Sequence, residues 1–422
     1  SNYLSRLAAL RPGDTLVLAP GHYGADAFGN DNGSARGLPI HGLHGTADQP
    51  ITIKGMDGQP RPVLWAAQPA RFNVIQLVDA SFITIKGLEI NGRDNFSFGV
   101  SAYGAVHDIT LEDLYIHGVG GDQQNVGIST TGAYAWNWVI RGNVIEGAGT
   151  GMYLGNSEGD SPFVAGVIEN NLIVDSIGYN LQVKHQTPWV NPPAGMPTWP
   201  TRTIIRHNVF SKANHASMGG MARPNVLVGD QPSSGAGSGN GFEIYGNFFW
   251  QNPSESLFQG EGNIAMYNNL MVSAAGSAIR VQRHNGVVRT VRVFNNTIVA
   301  GGTGISVHGG VAGSTQRVQG NAVFAASPVV VSGATAAASD NVTDTYANAV
   351  SYLNHPLATL GALDLFPKTG QLSGAAVALD GVSAYTDHDR DFNGAARSAT
   401  MRGAYSGQGV NPGWKPALQV KP

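Results

Sequence analysis

The chain has no cysteine. Disulfide staples and thiolate metal sites are excluded, and the compartment is left open on redox grounds. Charge is also scarce: 13% of the 422 residues are Asp, Glu, Lys or Arg, and the formal net charge is -3. That balance supplies no global pull towards nucleic acid or an anionic membrane surface. No apolar run of about 18 residues occurs, so no membrane-spanning helix is predicted. No leader pattern is visible at the start. The chain opens at Ser1, and the expectation is a secreted or periplasmic protein with its leader removed. What the chain does hold is 57 glycines, with aliphatic and β-branched residues spread along its whole length. A disordered chain lacks that apolar content.

The sequence repeats. A β-branched strand is followed by Gly-Asn or Asn-Asn and then another apolar pair, as in WVIRGNVIEG, GVIENNLIVD, TIIRHNVFSK, FEIYGNFFWQ, IAMYNNLMVS, VRVFNNTIVA and RVQGNAVFA. The recurring residues are Asn143, Asn171, Asn208, Asn247, Asn269, Asn296 and Asn321, spaced 22 to 39 apart. Two earlier copies, ITIKGLEING and ITLEDLYIHG, place Gly87 and Asp113 at the turn. Gly, Asn and Asp tolerate a left-handed backbone. Strands of alternating polarity cannot bury their apolar face in one coil, whereas stacked coils can. Helical repeats are opposed by the period-2 pattern and the glycine load. The predicted fold is all-β, a right-handed parallel β-helix over 1–335. Asn2 to Leu10 forms an N-terminal cap helix. An irregular tail over 336–422 packs on the same solenoid as part of a single domain. The repeat is expected to fade after about Thr335.

Aligning one strand per coil fixes which side chains face out. Inward residues are read as Ile128, Met152, Leu181, Val226, Leu257, Ile279 and Ile305, then Thr130, Leu154, Val183, Val228, Gln259, Val281 and Val307. Alternation then turns Ser129, Tyr153, Gln182, Leu227, Phe258, Arg280 and Ser306 outward. The next outward row is Thr131, Gly155, Lys184, Gly229, Gly260, Gln282 and His308. Lys184 would stand in a trough between glycines. His185, Asp230, Glu261 and Arg283 fall just beyond, with His284 nearby. Two insertions flank this row, QTPWVNPPAGMPTWP (186–200) and QPSSGAGSGN (231–240). Trp189 and Trp199 could stack on sugar rings or merely cover a hydrophobic flank. From Tyr179 to Gly310 there are nine Lys and Arg against four Asp and Glu, so a locally basic groove suits an anionic ligand.

The opening LRPGDTLVLAPGHY with GTADQPITIKG resembles the first coils of secreted pectate-lyase-like β-helix proteins, alginate lyases and chondroitinase B among them. The tail DHDRDFNGAARSATMRGAY is similar to the closing segment of many such bacterial proteins. The resemblance implies a polysaccharide lyase, with a Lys and an Arg acting on this face and calcium as an option. β-Elimination needs a cation on the uronate carboxylate, a base and an acid. Arg280 or Arg283 would neutralise the carboxylate and Lys184 would be the base. His185, His284 or Tyr153 would be the acid. Gln182, Arg223, Trp189, Trp199 and Gln282 would bind an anionic polysaccharide. Asp230 and Glu261 could hold calcium, and no cofactor is certain. The same two carboxylates leave open a glycoside hydrolase, and a non-catalytic glycan-binding solenoid is the third reading. A monomer is expected, with no nucleic-acid partner. DRDFNG (389–394) matches the start of a calcium loop but lacks its closing glutamate, because Thr400 stands there. It is read as a tight turn.

Overall fold

Every coil turns sharply between two strands, and that turn explains the repeated asparagines. In the computed structural model, which describes residues 3–24, 30–31, 34–35, 37–65, 72–94, 97–379 and 381–422, Asn247 shows the arrangement. Its backbone N–H and its Nδ2 both donate to Oδ1 of Asn269, each at 3.0 Å. Its Nδ2 also donates to the Ile205 carbonyl at 2.9 Å. Its own Oδ1 accepts from the backbone N–H and Nδ2 of Asn208. All of its amide capacity is spent, which is what a fully buried amide requires. The same bonds link Asn269 to Asn296, Asn296 to Asn321 and Asn321 to Asn341. Another pair links Asn143 to Asn171.

The left-handed residue sits one position earlier. Gly87, Asp113, Gly142, Asn170, His207, Gly246, Asn268, Asn295, Gly320 and Asp340 have φ between 52° and 66°. Gly87 and Asp113 therefore occupy the left-handed position and not the rung. The rungs there are Leu88 and Leu114, both buried. The Leu114 N–H still donates to Asn143 Oδ1 at 2.9 Å, but leucine passes no amide bond onward, so the ladder ends.

The chain divides into two units, Ser1–Thr203 with Pro232–Gly239, and Ile204–Gln231 with Asn240–Pro422. Each is a right-handed parallel β-helix. In the first unit, one face stacks Val126–Trp136, Thr150–Leu154 and Leu181–Val183 in parallel. A second face stacks Val139–Arg141 on Val167–Glu169. A third stacks Glu89–Asn91, Tyr115–His117, Val144–Glu146 and Leu172–Val174. In the second unit, the first face stacks Val226–Val228, Phe258–Gly260, Ile279–Val281 and Thr297–His308. Its second face runs from Gly241–Tyr245 to Ala336–Ser339. Its third face runs from Val209–Ser211 to Val342–Asp344. The repeat thus persists past Thr335, with Asn341 as its last rung.

The N-terminal helix is Tyr3–Ala8, with Tyr3 and Leu7 buried. Asn2 lies outside the described residues. Within the second unit the tail packs on the second face, over stacked Tyr245, Tyr267 and Phe294. Thr386 N–H donates to Glu243 Oε2 and Asn268 Nδ2 donates to the Arg390 carbonyl. DRDFNG is a tight turn. Asp391 accepts the N–H groups of Asn393, Ala395 and Ser406, all at 2.8–2.9 Å.

Candidate functional site

In the first unit the alternation holds as read. Tyr153 and Gln182 pair in register on the outward row, while Met152, Leu154, Leu181 and Val183 are buried inward. Lys184 N–H donates to the Leu154 carbonyl at 2.8 Å, and its Nζ lies 5.4 Å from the Tyr153 ring centroid. Gly155 makes this possible. A Cβ there would come within 2.9 Å of Lys184 Cβ, and its φ is 95°. Tyr153 Oη and Ser157 Oγ bond at 2.9 Å. Ser157 belongs to a turn whose Asn156 Oδ1 accepts the N–H groups of Asp160 and Ser161. His185 lies against that turn: a Cβ on Gly159 would be 3.1 Å from its Nε2. Gln182 is buried, and its Oε1 has no hydrogen-bond partner among the described residues.

The two tryptophans separate. Trp189 donates from Nε1 to Gln186 Oε1 and packs with Ala105, Tyr134 and Ala165 on a cluster of Trp136, Val164 and Met196. Gly237 lies on its ring. This packing favours the flank-covering reading of Trp189 over the sugar-stacking one. Trp199 is 63% exposed.

In the second unit one coil slips by a residue. Phe258 pairs with Val226 and Ile279, so Phe258 faces inward. Gln259 pairs with Leu227 and Arg280 and faces outward. Gly260 is inward, packed against Phe258 and Ile264, and is no part of a glycine trough. Glu261 moves into the outward row with Gln282, whose N–H donates to the Gly260 carbonyl. Leu227, Gln259, Glu261, Gln282 and His284 line one small cleft. Arg280 sits beside Glu255, with Nη1 3.5 Å from Oε1. Arg283 is exposed. Arg223 bonds the Gly220 and Ala222 carbonyls of its own loop and does not point into that cleft's lining.

The acidic pair is engaged elsewhere. Glu261 accepts the N–H groups of His284, Asn285 and Gly286 at 2.8–3.1 Å. Asp230 accepts those of Gln231 and Val287 and is held by Arg289 from Nε at 2.7 Å and Nη2 at 3.3 Å. The two carboxylates anchor the bend 282–287. The metal and hydrolytic roles read for them gain no support from this geometry: Asp230 has donors on both oxygens and Glu261 takes three backbone N–H groups on Oε2. No group of three or more His, Asp or Glu suited to a metal ion occurs among the described residues. Nor is any helix there long and apolar enough to cross a membrane.

Sequence reasoning missed Arg289, Glu255 and Lys212. Lys212 is fully buried, and burial followed by the Arg223 charge pushes its ammonium down to about 7. The one signal for it was a lysine placed directly after an apolar strand, at the mouth of a long insertion.

No protein-family model matches the chain. No curated protein sequence matches it either. Among solved structures it is similar to a lacto-N-biosidase from Eubacterium ramulus, with 14% identity, a TM-score of 0.47 and 80% of this chain covered. The chain spans 63% of that protein's length. It is similar to an alginate lyase from Paenibacillus at 16% identity and TM-score 0.39, covering 81% of this chain and 91% of that one. A pectate lyase is similar at 13% identity and TM-score 0.41, covering 95% and 83%. Lyases of the class that the opening and closing segments resemble thus stand beside glycoside hydrolases. At these identities the relatives' reactions do not transfer to this chain.

Proposed function

We propose that the chain is a polysaccharide lyase that cleaves a uronate-containing polymer by β-elimination on the outer face of its β-helix. The observation that carries this reading is the placement of the Lys184 amine over the Tyr153 ring, on the outward row, with Gly155 clearing its stem. In the proposed step the Lys184 amine takes the proton α to the uronate carboxylate. The electron pair forms the C=C bond, the bond to the glycosidic oxygen breaks, and that oxygen takes the Tyr153 phenolic proton. The hydrolase alternative has no such support, because Asp230 and Glu261 are bound to backbone and to Arg289. A secreted or periplasmic setting suits a polymer substrate.

The test is ultraviolet absorbance at the wavelength of an unsaturated uronate, with alginate, polygalacturonate, glucuronan and chondroitin, each with and without calcium. A rise lost in Lys184→Ala and in Tyr153→Phe supports the reading. New reducing ends without that absorbance would assign a hydrolase, and retention without any product a binder.

A further inference from the structure

The third face of the first unit carries polar and aromatic side chains that the proposed reaction does not use. In Val63–Trp65, Glu89–Asn91, Tyr115–His117 and Val144–Glu146 the middle residue is buried and its neighbours turn outward. Register sets Glu89 beside Tyr115, and Trp65 beside Asn91 beside His117. The Tyr115 and His117 rings stack at 4.5 Å and 19°. Tyr115 Oη donates to Glu146 Oε2 at 2.9 Å, and His117 Nε2 bonds Glu89 Oε1 at 3.0 Å. Trp65 lies two coils before His117, stacked on His22 at 4.4 Å and with the Arg93 guanidinium 5.0 Å from its ring.

Three properties of this face bear on what it could hold. The rings are pinned by their carboxylate partners, so little side-chain entropy is lost when something lies on them. Each carboxylate spends one oxygen on a ring partner, and among the described residues the other oxygen has none. Such oxygens accept hydroxyl protons and repel anions. Burial, with Glu146 beside it, pushes the Tyr115 phenol up to about 12, so it stays a donor at neutral pH.

We propose that this face binds a neutral, hydroxyl-rich glycan. Sugar C–H faces would rest on the Tyr115–His117 stack, and sugar hydroxyls would donate to Glu89 and Glu146. The two carboxylates exclude a uronate chain, so this site and the proposed catalytic row would select different polymers, or different parts of one mixed polymer.

Affinity electrophoresis and titration calorimetry test it, with hydroxyethyl cellulose and galactomannan as neutral probes, chitosan as a cationic one and polygalacturonate as an anionic one. The expected result is retention by a neutral probe, weakened tenfold or more in Tyr115→Ala and in the Glu89→Gln/Glu146→Gln pair. Tyr115→Phe, which keeps the ring, should retain most of it. Tyr153→Ala serves as the control that leaves this binding intact. Thermal melts of each variant separate lost binding from lost folding, and the isosteric glutamine pair decides the matter if the alanine variant does not fold. Equal retention in wild type and the glutamine pair, or retention by chitosan alone, overturns the proposal. So does the absence of retention by both neutral probes.

Discussion

Lys212 buries its amine against the carbonyl oxygen of Arg223, 2.7 Å away, and so ties the two ends of the 213–222 loop together. That carbonyl also accepts Asn252 Nδ2 at 2.9 Å. Burial, then the Arg223 charge, lowers Lys212 from 10.5 to about 7, with Glu255 opposing. The unfolded chain therefore binds more protons between those two values, and stability rises with pH across that window. Lys421, lowered by burial to about 8, acts in the same direction. The melting temperature should climb from near pH 7 towards pH 10. Lys212→Met should flatten part of that climb and be more stable than wild type at neutral pH. Parallel pH profiles for the two proteins would count against the assignment.

Asn247→Ala removes a rung from the middle of a ladder. It takes the acceptor from the Asn208 N–H and Nδ2 and a donor from the Ile205 carbonyl, while Asn269 Oδ1 keeps the backbone N–H of residue 247. Each such buried group costs roughly 1–3 kcal/mol. Urea unfolding should show a loss of that order for each orphaned group. A loss near zero would mean that the turn relaxes and water replaces the amide.

Gly155→Ala tests the room beside Lys184. The new Cβ meets the lysine stem at 2.9 Å in a backbone at φ 95°, which costs roughly 1 kcal/mol in stability. On the proposed reaction, turnover should fall on the order of 10- to 100-fold, because the base is displaced while the fold survives. A variant with unchanged turnover would remove Lys184 from the chemistry.

Arg289→Met strips the guanidinium from Asp230, a carboxylate that is only 7% exposed. Breaking one partner of a buried pair costs about 3–5 kcal/mol. Adding Asp230→Asn should recover part of that loss. A double-mutant cycle on thermal or urea unfolding measures the coupling, and additive losses would show that the pair is not one unit.

Most of the coil architecture was legible because the period-2 pattern and the Asn turns repeat through the chain. Tyr153, Gln182 and Lys184 were placed correctly since Met152, Leu154, Leu181 and Val183 alternate cleanly with them. The coil at 256–261 misled for a physical reason. Leu257 and Phe258 are adjacent and both fully buried, so alternation has two solutions there. Gly260, the residue that should have decided between them, has no side chain. The rung was also misread by one position at Gly87 and Asp113. There the left-handed residue survives while leucine replaces the amide. Trp189 could not be placed from sequence because its packing partner Trp136 lies far away in the chain. The duties of Asp230 and Glu261 were hidden for a similar reason. Their partners are backbone N–H groups, which carry no signature in a sequence, and for Asp230 also Arg289, which lies far along the chain.

The ladder holds one margin of the coil at constant length and leaves the other free. Successive asparagines are 22 residues apart from Asn247 to Asn269 but 39 apart from Asn208 to Asn247. Extra chain is therefore accommodated away from the ladder margin without shifting any rung. Insertions and deletions there should behave as local edits, whereas one residue added between strand and rung would turn the side chains of that coil's strand to the other face. Loop length can thus change in whole-loop steps while the spine keeps count.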